Sequence, residues 1–68
     1  MTAREVVREL TGRGAVNVRQ SGSHVRFVSA CGRCATTVAM HPGDIKPGTL
    51  HAIEKDMAPC YGRGWLTR

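Results

Sequence analysis

Residues Arg19-Gln20-Ser21-Gly22-Ser23-His24, followed by Val25-Arg26-Phe27-Val28, set an imidazole at the mouth of a predicted strand, directly after a Gly/Ser turn. With an ordinary pKa of about 6.5, histidine can take or give a proton near neutral pH. Glycine permits close approach, so the backbone N–H groups of Gly22 and Ser23 are candidates to hold an anion's oxygen. Arg19 and Arg26 flank the ring with cations. Proton transfer beside a bound oxyanion is the chemistry this set allows. The alternative is an ordinary surface histidine at the start of a strand.

The other reactive side chains are more ambiguous. His41 is either a second proton-transfer group, partner to His24, or the residue that closes a strand ahead of Pro42. Nothing in the sequence brings the two imidazoles together, which favours the second role. His51 falls on the exposed side of a predicted helix. Cys31-x-x-Cys34 has the spacing of half a zinc knuckle, and Cys60 offers a third thiolate. A closed structural zinc site needs four ligands, and the fourth would have to be His41 or a group the sequence does not locate. The simpler interpretation is a tight turn of small side chains, open to a disulfide on oxidation. A thioredoxin-like redox role expects the cysteine pair at a helix start beside a βαβ unit, which is missing. No metal or cofactor is therefore assigned. Lys46 and Gly48-Thr49-Leu50 mark a helix start, where a cation and backbone N–H groups can meet a phosphate.

These residues need elements to hold them. Thr2, with Glu5 three positions on, is a capping box. Ala3, Val6, Val7 and Leu10 then form one helical stripe, ended by Gly12 and Gly14. Residues 15–20 alternate Val16 and Val18 with Asn17 and Arg19, the pattern of a short strand. A second strand over 24–30 puts Val25 and Phe27 on one side and His24 and Arg26 on the other. A hairpin turn at 31–34 leads to a third strand over 35–40. Ile45 drops toward the core before a second helix that begins at Pro47, buries Leu50, Ile53 and Met57, and turns His51, Glu54 and Lys55 to water. Pro59 is expected to stop it. The last residues show no period; Trp65 and Leu66 are the ones able to fold back. The order predicts an α+β fold, α-β-β-β-α. Both helices cover one face of a three-stranded antiparallel sheet, leaving His24 and Arg26 on the open face.

Sixty-eight residues make one small domain. A chain of that size buries only about 60% of its unfolded surface, so its core is thin. Ten Lys and Arg against five Asp and Glu give a formal charge of +5. So much positive charge on so small a body attracts polyanions, nucleic acid first among them, or else an acidic protein. Arg outnumbers Lys eight to two, which suits bidentate phosphate contacts. Aromatic content of 4% argues against a base-stacking platform. No apolar run reaches the roughly 20 residues of a membrane span, and no signal-peptide pattern opens the chain. A cytoplasmic location with reduced thiols is expected.

Arg19-Gln20-x-Gly22-Ser23-His24, a short hairpin, Val38-x-x-His41 and Gly48-Thr49-Leu50-x-x-Ile53, in that element order, resemble the HicA family, the small toxins of bacterial type II toxin–antitoxin pairs. The resemblance covers the first helix through Met57, a core of about residues 2–57 in a single domain, and leaves 58–68 as a tail. It implies a double-stranded-RNA-binding-domain-like fold that cleaves mRNA without a metal, and a HicB-type antitoxin partner that covers the active face. It implies that His24 is the catalytic residue. Ala39 stands where many members have proline, and most members lack the Cys-x-x-Cys. In that setting Arg19, Gly22, Ser23, Arg26 and Lys46 are the candidate RNA contacts. The competing functions are a non-catalytic RNA-binding module of the same fold and a small zinc-organised interaction domain.

Overall fold

The computed structural model describes residues 1–66; Thr67 and Arg68, the end of the tail, lie outside the described residues. Helix α1 spans Ala3–Gly12, strands β1, β2 and β3 span Val16–Ser21, His24–Val28 and Ala35–Ala39, and helix α2 spans Pro47–Tyr61. The fold is the α+β arrangement expected. The sheet is antiparallel throughout, in the order β1-β2-β3, and resembles a double-stranded-RNA-binding domain. No helix among the described residues is long and apolar enough to cross a membrane.

Local chemistry starts α1 as the capping box predicts. The Glu5 N–H donates to Thr2 Oγ1 at 3.2 Å and the Thr2 N–H donates to Glu5 Oε1 at 2.8 Å. That backbone bond from Thr2 is the main reason the Glu5 carboxyl titrates below its ordinary value. Ala3, Val6 and Leu10 face inward and meet Val25, Phe27 and Val38 from the sheet and Ile53 and Met57 from α2. Strand alternation does the sorting: in β2 Val25 and Phe27 are buried while His24 and Arg26 are exposed. In β3 Thr36 and Val38 are buried and Thr37 is exposed. Buried Thr36 is satisfied because its hydroxyl donates to Asp56 on α2 at 2.9 Å.

Four details differ from the sequence pattern. Strand β1 does not alternate in burial; every residue in it is exposed, Val16 and Val18 at 55% and 54%. It is an edge strand, and Asn17 pairs with Phe27 while Arg19 pairs with Arg26, so Val18 is the extra residue of a bulge. The second and third strands end earlier than expected, at Val28 and Ala39. Pro59 does not stop α2, which runs on to Tyr61 and closes with the Gly62 N–H donating to the Ala58 carbonyl at 2.7 Å. A proline in the last turn forfeits one hydrogen bond, and here Cys60 and Tyr61 pack against the core and hold the turn in place.

Glu54 is the fourth. It does not face water; it is buried, its Oε2 accepting the Gly64 N–H at 2.8 Å. The cause is the chain after α2, which folds back and buries Trp65 and Leu66 in the common core. The Trp65 indole N–H donates to the Glu54 carbonyl at 2.9 Å. Tyr61 meets the Trp65 ring edge-on at 5.1 Å, and the Arg13 guanidinium lies 5.3 Å from that ring. Leu50 and Ile45 are half-buried against the same core.

Candidate active site

Residues Gly22 and Ser23 make a two-residue hairpin loop, since Ser21 pairs with His24. Gly22 has φ +58°, the left-handed value that the favoured two-residue loops ask for. The Gly22 carbonyl accepts from Gln20 Nε2 at 3.3 Å, and the Ser23 carbonyl accepts the Met40 N–H at 2.7 Å. The turn is thus tied down on both sides, and His24 leaves it on a rigid strand with its ring on the uncovered face of the sheet.

Three expected residues converge there. Arg19 and Arg26 are direct cross-strand partners. With Ser21, His24 and Thr37 they line one shallow depression of about 80 Å³. Two like charges placed opposite each other on a sheet repel, and among the described residues no acid on the strands relieves them, because β1, β2 and β3 contain no Asp or Glu. Arg26 is oriented by its Nη1, which donates to Thr37 Oγ1 at 3.1 Å. Four of the five acids sit on the helices: Glu5 at its cap, Glu9 paired with Arg13 at 3.0 Å, and Glu54 and Asp56 bonded as above. The open face is therefore positive without local compensation, and an imidazole stands at its hairpin end. Ser21 and Thr37 escaped the sequence reading; strand alternation carries a signal for Thr37, but Ser21 joins the group only because the loop has two residues and pairs it with His24.

Lys46 does not join this depression. It is the N-cap residue of α2 and lines a separate hollow of about 280 Å³ with Ala39, His41, Thr49 and Ile53 among others. His41 links the two places. It is exposed, and its ring centroid lies 6.3 Å from that of His24, edge-on at 85°. The sequence pattern alone favoured a strand-closing role for it. The link is tertiary: His24 pairs with Ala39, the Met40 N–H bonds Ser23, and the chain then turns with the His41 N–H donating to the Ala39 carbonyl at 3.0 Å. His51 is exposed on α2, as its helical position implied.

The thiols gather at the other end of β2, away from His24. Cys31 Sγ lies 3.6 Å from Cys60 Sγ and 3.3 Å from Ser29 Oγ, and Cys34 is buried beneath them with its backbone N–H donating to Ser29 Oγ at 3.1 Å. Among the described residues no group of three or more His, Cys, Asp or Glu side chains is arranged to hold a metal ion. Hydrogen bonding from Ser29, reinforced by the Arg33 backbone, lowers the Cys31 thiol to about 7, while the bond with Cys34 raises that of Cys60. Exposed and partly ionised at neutral pH, Cys31 should be alkylated by iodoacetamide several-fold faster than Cys60 or Cys34. Peptide mass mapping after brief labelling at pH 7 checks this; uniform labelling of the three would contradict it.

Comparison with known proteins bears on what such a corner is for. A family model of the HicA toxins of bacterial toxin–antitoxin systems matches residues 3–58. No curated protein and no solved structure matches the chain. The matched span holds both helices' buried stripes, all three strands and the His24 corner. The chain belongs to the HicA toxin family.

Proposed function

We propose that this toxin of a bacterial toxin–antitoxin pair is an endoribonuclease that degrades mRNA without a metal ion, with His24 as its general acid–base group. RNA carries its own nucleophile. Removal of the 2′-hydroxyl proton lets that oxygen attack the adjacent phosphorus and expel the 5′-oxygen, giving a 2′,3′-cyclic phosphate and a 5′-hydroxyl. A side chain that moves the proton and cations that stabilise the charge on the phosphoryl oxygens are what such a reaction asks of a protein. The observation that carries the proposal is the exposed His24 ring beside the cross-strand Arg19–Arg26 pair, in one depression on an acid-free sheet face. A phosphate seated there neutralises the repulsion between the guanidiniums. The N–H groups of Gly22 and Ser23 and the Lys46 ammonium extend the track for the RNA backbone. A HicB-type antitoxin would block the same face, and acidic side chains are what complement it.

Purified chain incubated with end-labelled single-stranded RNA in excess EDTA should yield fragments ending in 2′,3′-cyclic phosphate, and the DNA of the same sequence should stay intact. An intact RNA, or cleavage that needs an added divalent cation, overturns the assignment. RNA binding without any cleavage would identify the non-catalytic module instead.

A further inference from the structure

We propose that His41 is the second proton-transfer group of this site, the acid that protonates the departing 5′-oxygen while His24 takes the 2′-hydroxyl proton. The inference rests on the ribonuclease reading and adds a catalytic residue and a direction for the substrate. In an in-line displacement the attacking and leaving oxygens stand on opposite sides of the phosphorus, so two proton-transfer groups must flank one phosphoryl group. Each reaches its oxygen across a hydrogen bond of about 2.6–3.2 Å. The two exposed imidazoles stand with centroids 6.3 Å apart, near enough for both to face one phosphoryl group.

His41 is also held where such a role needs it. The loop that carries it is fastened at its start by the Met40–Ser23 backbone bond of 2.7 Å. Beyond it, Asp44 bridges to Thr2, and the Ile45 N–H donates to the Met1 carbonyl at 2.7 Å. The direction follows from the space on each side. His24 borders the small depression lined by Arg19 and Arg26, sized for a phosphate; His41 borders the hollow of about 280 Å³ beside Lys46, which has room for a nucleotide. The nucleotide that leaves occupies the larger space, next to His41. As the O2′–P bond forms and the P–O5′ bond breaks, the 2′ proton passes to neutral His24 and protonated His41 gives its proton to O5′. Exchange with solvent restores both rings.

A sulfur leaving group needs no proton, and this separates the roles. Once the preferred linkage is mapped, two oligoribonucleotides are compared, one natural and one with sulfur replacing the bridging 5′-oxygen at that linkage. His41→Ala should cut the natural linkage at least about 100-fold more slowly than the unsubstituted chain and cut the sulfur-bridged linkage at close to the unsubstituted rate, with an unchanged melting temperature. His24→Ala should fail on both. Equal slowing of both substrates by His41→Ala, or no slowing of either, overturns the acid role while leaving the nuclease assignment standing. An unsubstituted chain that cuts neither substrate overturns the nuclease assignment and this inference with it.

Discussion

His24→Ala should lower the rate of RNA cleavage by two to four orders of magnitude and leave the folded protein otherwise unchanged. General acid–base groups contribute about 10²- to 10⁴-fold, and His24 lines the depression, with Arg19 and Arg26, that is proposed to seat the phosphate. The ring is exposed, so its loss removes no core contact, and surface substitutions of this kind stay within about 0.5 kcal/mol. Cleavage time courses and thermal melts on the same preparation test both halves of the prediction. RNA affinity provides the contrast. It should survive His24→Ala but fall in Arg19→Ala or Arg26→Ala, each losing about 0.7 from the salt slope if it contacts one phosphate of a single strand. A His24→Ala protein that cuts RNA at the original rate removes the catalytic assignment.

Trp65→Ala is expected to carry the largest stability loss in the molecule. Trp65 is 4% exposed, roofs Glu54 through its indole N–H, and sits between Tyr61 and Arg13. Truncating a buried Trp to Ala costs about 3–5 kcal/mol. A 68-residue domain holds only about 3–10 kcal/mol in total, so this single change removes from a third of the stability to all of it. At about 4–8 °C per kcal/mol for a domain of this size, circular dichroism should show a melting point lower by at least about 12 °C, or no cooperative transition at all. A shift of a degree or two would mean that the segment after α2 is an appendage. The result matters because Trp65 lies beyond residue 58, where the family match ends. This chain closes its core with residues of its own, on the side of the sheet away from His24. Where the variant still folds at low temperature, it should therefore still cleave RNA.

What the sequence by itself determined is what depends on near neighbours. The Thr2–Glu5 box, the Ala3–Val6–Leu10 stripe and the two faces of β2 follow from helical and strand periodicity, and the structure has all three. That is enough to bury both helices on one side and leave His24 and Arg26 on the other. Tertiary structure decided what depends on register and on distant chain. The two-residue Gly22-Ser23 loop set Arg19 opposite Arg26, and the edge position of β1 left Val16 exposed. Glu54 is buried, and α2 continues past Pro59, because residues far along the chain pack against them. The 6.3 Å approach of His41 to His24 is the clearest case. Seventeen positions separate the two rings in the chain. The turn at 31–34 predicts that β2 and β3 pair, but only their register, with the backbone bond from Met40 to Ser23, brings the rings to the same corner, and that register is not written in the local pattern.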